Sequence, residues 1–276
     1  MTGKSVLITG CSSGIGLEVA DGLKARGYRV FASARKPADV DRLAVDGFES
    51  LQLDLADSDS IQSAVKEVLA RSGGTLDALF NNGAYGQPGA VEDLSREVLR
   101  QQFETNLFGW HELTNLVIPV MRRQGHGRII QNSSVLGFVA LRYRGAYNAS
   151  KYALEGLTDT LRLELAGSGI HVSLIEPGPI ASHFRENAFK AYQRNINPQG
   201  SPHQDMYRRM EARLTTPGPA VPFTLPAEAV LKKVIHALES RRPRVRYYVT
   251  LPTWLFGFLK RILSSRLLDR VLIKIG

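Results

Sequence analysis

Two rhythms of apolar and polar positions alternate along this chain, from the N-terminus to about Glu239. Short runs of consecutive apolar residues mark buried strands. Stretches whose apolar positions recur every three or four residues mark helices. Val6-Leu7-Ile8 predicts a first strand ended by Thr9-Gly10, and residues 16–26 predict a helix stopped by Gly27. Further strands are expected at 28–33, 48–53, 76–80, 128–131 and 170–175, the last ended by Pro177-Gly178-Pro179. Helices are expected at 57–71 and over a long stretch from about Ser95 to Arg123. Strands that are apolar throughout, spaced by helices, imply a parallel sheet covered on both faces. Right-handed crossovers then give an α/β fold with a doubly wound, Rossmann-like sheet. No repeat or low-complexity linker interrupts the pattern. Residues 1–250 are therefore read as one domain, with a lid at about 181–225, followed by a basic amphipathic helical extension at 251–276.

Composition narrows the class. With 276 residues, 43% of them hydrophobic and 22% charged, the chain has the make-up of a folded α/β protein rather than a disordered one. Its single cysteine, Cys11, excludes an internal disulfide and a Cys-rich metal site, and no metal is expected. Neither a secretory signal nor a run of 18 apolar residues is present, so a cytoplasmic protein is expected. The net charge of +9 is unevenly spread: from Arg241 to Gly276, nine basic residues face one acid, Asp269. A near-neutral body with a basic tail does not read as a nucleic-acid binder.

The segment Gly10-Cys11-Ser12-Ser13-Gly14-Ile15-Gly16 falls between the first strand and the first helix. Glycines there let the backbone turn and approach a ligand closely, and the free N–H groups of a helix N-terminus suit a pyrophosphate. The spacing differs from the usual dinucleotide fingerprint, but the position after the first strand is the expected one. The same residues also fit G-x-S-x-G, a hydrolase nucleophile elbow around Ser12. That reading fails because only one strand precedes the serine, leaving nothing to supply an oxyanion hole. The second strand ends in Ala32-Ser33-Ala34-Arg35-Lys36, with no acid to bond a ribose 2′-hydroxyl. Arg35 can instead grip a 2′-phosphate, which favours NADP(H) over NAD(H).

Tyr147 and Lys151 stand four residues apart and stack on one helical face together with Leu154 and Leu161. A lysine on a face that should be buried breaks the pattern, as functional residues do. The ammonium is expected to lower the pKa of the phenol and make it a usable general acid or base. Ser134 follows the fifth strand, at the carboxyl edge where open α/β sheets bind ligands, and its hydroxyl can orient a substrate oxygen.

With these motifs assembled, the chain resembles the short-chain dehydrogenase/reductase superfamily from about Lys4 to Ser182. The shared features are Thr9-Gly10-x-x-x-Gly14-x-Gly16, Asp54-Leu55, Asn81-Asn82, Asn106, Ser134, Tyr147-x-x-x-Lys151 and Pro177-Gly178. Its wording is similar to a bacterial NADP-dependent aldehyde reductase branch related to retinol and 17β-hydroxysteroid dehydrogenases. The resemblance implies a tetrad of Asn106, Ser134, Tyr147 and Lys151, with Asn106 in a helix kink holding a water that relays protons to Lys151. It also implies that Asp54 and Leu55 contact the adenine, Asn82 the ribose and Ile180 the carboxamide, and that Ser182 replaces a usual threonine. The family reads Asn-Asn-Ala-Gly where this chain has Asn81-Asn82-Gly83-Ala84, so a slight backbone shift beside the cofactor is expected. A homodimer or tetramer through the helices of Asn106 and Tyr147 follows by analogy.

The segment 181–225 is rich in aromatic residues and methionine, and with Val135–Val139 it suggests an apolar pocket for a hydrophobic aldehyde, ketone or alcohol. The apolar and basic residues of the tail recur at helical spacing, which fits either contact with an anionic membrane surface or packing on its own domain. A nucleotide-sensing regulator on the same fold is the alternative function. Such a protein would keep the glycine loop without needing Tyr147 and Lys151.

Overall fold

The computed structural model describes residues 3–218 and 221–275, so Met1, Thr2, Gly276 and, within the expected lid, Pro219 and Ala220 lie outside the described residues. Seven strands form one sheet: β1 (Ser5–Ile8), β2 (Arg29–Ala34), β3 (Glu49–Gln52), β4 (Ala78–Asn81), β5 (Gly127–Asn132), β6 (Ile170–Glu176) and β7 (Arg246–Tyr248). Their spatial order is β3-β2-β1-β4-β5-β6-β7, and every pairing is parallel. The order reverses between β1 and β4, which opens a crevice at the carboxyl edge of the sheet.

Strand residues alternate between two buried faces. Val6, Ile8 and Val30 pack against α1 (Gly14–Ala25) and α9 (Glu228–Glu239) through Val19, Leu23, Val230 and Val234. Leu7, Phe31 and Leu79 face the other way, onto α3 (Ser58–Ser72), α5 (Gly109–Gln124) and α6 (Gly145–Glu164). Helix α2 (Pro37–Val45) joins β2 to β3. The long helix expected from Ser95 to Arg123 is present as α4 (Arg96–Phe103) and α5, joined by a π-turn at Glu104–Phe108. The segment 181–225 contains α7 (Phe184–Asn195) and α8 (Gln204–Thr215). The tail departs from a single helix: α10 (Leu251–Ile262) and α11 (Ser265–Ile273) are separated by extended backbone at Leu263 and Ser264.

Edge strand β7 is held by Arg246. Its guanidinium bonds the buried carboxylates of Glu155 on α6 and Glu176 at the end of β6, the latter at 2.5 Å, and reaches Asp159 at 2.6 Å. Burial and the neighbouring Glu155 push the Glu176 carboxyl up to about 8. Removing the cation takes the shared hydrogen-bond donor away from the two buried carboxyl groups and from Asp159. Arg246→Leu is therefore expected to lower the urea midpoint of unfolding substantially. An unchanged midpoint would remove the clamp from the account of stability.

Candidate active site

The loop after β1 is shaped by its glycines. Gly10 and Gly14 have φ of 71° and 58°. A methyl group on Gly10 would stand 2.7 Å from Gly83 Cα, and one on Gly16 would stand 2.2 Å from the Gly10 carbonyl oxygen. The start of α1 and the end of β4 thus close on the loop with no room for side chains. Ser13 precedes α1 without a side-chain cap, which leaves the N–H groups of the first turn for a ligand. Ser12 and Ile15 lie between these glycines, and the Ser12 carbonyl accepts a hydrogen bond from Arg42 Nη2 on α2 at 2.5 Å.

The carboxyl ends of β1, β4 and β5 are stitched together across this crevice. Thr9 Oγ1 accepts from the backbone N–H of Asn82 at 2.8 Å and of Gly83 at 2.9 Å. Asn82 Nδ2 donates to the Thr9 carbonyl at 3.1 Å, and its Oδ1 accepts from Asn132 Nδ2 at 2.8 Å. Lys151 Nζ donates to the Asn132 carbonyl at 2.8 Å. A chain of hydrogen bonds therefore runs from Lys151 to the glycine loop. The exchanged order Gly83-Ala84 has a local reason. Gly83 is the residue that meets Gly10 and Leu55, while Ala84 packs toward the core beneath α5.

Tyr147 and Lys151 both lie on the buried face of α6. The Ser134 hydroxyl, which accepts from Leu136 N at 3.1 Å, lies near enough to the Tyr147 phenol to favour its ionised form, so these two residues meet as expected. Lys151 Nζ stands 5.7 Å from the centroid of the Tyr147 ring. It stands closer, at 4.2 Å, to the ring of Trp110, whose Nε1 donates to the Gly83 carbonyl at 2.8 Å. Trp110 was not singled out from the sequence. Its position one turn after Asn106 was the available signal.

The expected acidification of the phenol is overturned. Burial pushes the Tyr147 phenol up to about 12 against the opposing influence of the Ser134 hydroxyl, and pushes the Lys151 ammonium down to about 7. Desolvation outweighs proximity: the amine bonds a carbonyl oxygen and an indole face rather than the phenolic oxygen. At neutral pH Tyr147 therefore holds its proton.

Asn106 sits in the π-turn, fully buried, with Nδ2 donating to the Tyr85 carbonyl at 2.9 Å and Oδ1 accepting from the Tyr85 N–H at 3.2 Å. Leu55 reaches Gly83, which itself meets Gly10, whereas Asp54 turns back on its own chain, accepting from Ala56 N at 3.0 Å. Arg35 is exposed at the end of β2. The Pro177 carbonyl accepts from Val135 N at 2.8 Å, Ile180 packs on the core near α9, and Ser182 lies against Gly14. Phe184 sets its ring edge against Tyr147, with centroids 5.3 Å apart. The run Val135–Val139, expected to wall the pocket, instead packs largely against α10 and α11.

A glycine-shaped crevice at the switch point of the sheet, beside half-buried Ser134 and buried Tyr147 and Lys151, has the make-up of an oxidoreductase of the Rossmann type. The chain belongs to the short-chain dehydrogenase/reductase family, whose model, described as short chain dehydrogenase, matches residues 4–193. It is 46% identical over 269 residues to the uncharacterized oxidoreductase YbbO of Escherichia coli K12, across 98% of this chain and 94% of that one. It is 31% identical over 280 residues to an NADPH-dependent 3-dehydrocapnine reductase of Ornithobacterium rhinotracheale, across 97% and 95%. A short chain dehydrogenase/reductase from Burkholderia phymatum, solved in complex with NAD, superposes with a TM-score of 0.77 at 26% identity, across 94% and 92%.

The buried amine generates a prediction. A lysine deprotonates near 10.5 when unfolded but near 7 here, so its burial opposes folding most at low pH. Stability should recover as pH rises from 7 toward 10. Lys151→Met is therefore expected to raise the melting temperature more at pH 6 than at pH 9. An equal gain at both would show that the amine carries no burial cost.

Proposed function

We propose that the protein is an NADP(H)-dependent oxidoreductase that interconverts a hydrophobic aldehyde or ketone and its alcohol. The observation that carries this reading is the buried phenol of Tyr147 beside Ser134 and one helical turn from Lys151, whose amine is joined through Asn132 and Asn82 to the glycine loop. The bound nucleotide supplies hydride exchange with the carbonyl carbon. Gly10, Gly14 and Gly16 would hold its pyrophosphate against the start of α1, with Leu55 and Asn82 flanking the adenosine and Pro177, Ile180 and Ser182 the nicotinamide side.

In the reductive direction Ser134 orients the substrate oxygen and Tyr147 donates its phenolic proton to it. At neutral pH the phenol holds the proton that this direction requires. Lys151 positions the nucleotide ribose from one helical turn beyond Tyr147. Asn106 fixes the backbone at Tyr85 beside the cluster.

NADP(H) is favoured by the cations around the second β–α crossing. Arg35 and Lys36 are exposed there, and Arg42 approaches from α2 to bond the Ser12 carbonyl while also pairing with Asp39 at 3.1 Å. The absence of an acid at the end of β2 agrees. The NADPH-dependent relative and the NAD-bound neighbour pull in opposite directions, so the reading rests on these side chains. An apolar substrate is supported by Phe184 over Tyr147 and by the lid cluster of Tyr192, Tyr207 and Met210 behind it. The lid is moored by Tyr207, which accepts from Ala90 N at 2.9 Å and donates to Asp93, and by Asn195, which donates to Gln87 at 2.7 Å. Exposed Phe108 and Leu163, on the helices of Asn106 and Tyr147, support a homo-oligomer.

Tyr147→Phe is expected to lower carbonyl reduction about a hundredfold or more while leaving NADPH affinity intact. Tight NADPH binding by the parent protein, with no turnover across a broad panel of aldehydes and ketones, would support a sensor instead. Arg35→Ala should weaken NADPH far more than NADH in a fluorescence titration. Equal losses would refute the 2′-phosphate role.

A further inference from the structure

The C-terminal helices present two unlike faces. The inner face is spoken for: Phe256 of α10 and Leu272 of α11 are buried against Val139 in the loop that follows Ser134. On the outer face of α10, Leu251, Trp254, Leu255, Phe258 and Ile262 are each at least 50% exposed. Their spacing of three and four residues places them in one stripe roughly 100° wide. Helices of soluble proteins do not ordinarily turn such a stripe to water, and a contiguous apolar patch of this kind marks a contact surface.

The charge around the stripe identifies the contact. Arg266 and Arg270 on α11 and Lys274 just past its end are exposed and recur every four residues, so they form a basic row on the side of α11 away from buried Leu272. Arg261 is exposed on α10, and Asp269 is the only acid from Leu251 to Ile275. A second copy of the chain docked on this face through a two-fold axis would set the basic row against itself, and like charges oppose that pairing. Anionic phosphates at the boundary of a bilayer complement it, with Trp254 suited to the headgroup layer. No helix among the described residues is long and apolar enough to cross a membrane, so these helices would lie along the surface rather than span it.

We infer that the outer face of α10 and α11 docks onto an anionic lipid surface, with the stripe Leu251–Ile262 entering the acyl boundary and the row Arg266–Lys274 engaging headgroups. The inference stands apart from the assignment of substrate and nucleotide. Because the same helices cover the Ser134 loop, docking sets the catalytic end of the sheet beside the lipid.

The test uses the full-length protein with vesicles of phosphatidylcholine alone, or of phosphatidylcholine and phosphatidylglycerol in equal parts. Cosedimentation is expected with the mixed vesicles, to weaken with added salt, and to be slight with phosphatidylcholine alone. Arg266→Gln with Arg270→Gln should weaken it about fivefold for each charge removed. Leu255→Ser with Phe258→Ser should abolish it while leaving the melting temperature and NADPH binding unchanged. Should the serine variant misfold, the glutamine variant still decides the matter. No cosedimentation with either vesicle, or equal binding to both, overturns the inference. So does a halving of molar mass for the serine variant in light scattering without lipid, which would assign the face to a second copy.

Discussion

A buried amine organises this molecule. Lys151 is 1% exposed, and its position is set by a carbonyl oxygen at the end of β5 and the face of Trp110. From there Asn132 and Asn82 carry hydrogen bonds across the strand ends to Thr9. Helix α6 and the glycine loop belong to opposite halves of the sheet, and this polar chain holds them in register. Burying a cation opposes folding, which shows in the depressed proton affinity of the amine. The surrounding core, with Leu7, Leu79, Leu113 and Val117 all fully buried, supplies the offsetting stability.

The sheet was legible because parallel strands buried on both faces are written as uninterrupted apolar runs such as Val6-Leu7-Ile8. The glycine loop, Ser134, Tyr147 and Lys151 were legible because each sits at the carboxyl end of a strand or on a recognisable helical face. Other features depend on partners distant in the chain. Strand β7 is three residues long in an arginine-rich stretch, and Arg246 is held there by side chains 70 to 91 positions away. Trp110 and Arg42 gain their roles only when Lys151 and Ser12 arrive beside them. The Tyr-x-x-x-Lys spacing correctly gave proximity but not desolvation, and desolvation decides the direction in which the phenol titrates. In the tail, apolar positions kept helical spacing across Leu263 and Ser264, so the break between α10 and α11 left little trace in the pattern.

Two covers close the same end of the sheet. Helices α7 and α8 bring Phe184 over the phenol, and α10 and α11 press on the loop after Ser134. Both rest on aromatic and aliphatic contacts, but their moorings differ. The first is tied through Tyr207, Ser201 and Asn195 to the segment around Gln87 and Asp93. The second leads directly out of β7, so the Arg246 clamp also anchors its root.

The π-turn at Glu104–Phe108 constrains how this sequence can drift. It adds a residue to one turn of the helix, so α4 and α5 are out of phase with a regular spiral. Gln102 depends on that offset: its side chain accepts from Gln87 N at 2.7 Å and donates to the Tyr85 carbonyl at 2.9 Å. Losing one residue between Phe103 and Gly109 would swing everything upstream by about 100° relative to Trp110. The length of this helix is therefore as much a part of the site's geometry as the side chains it carries.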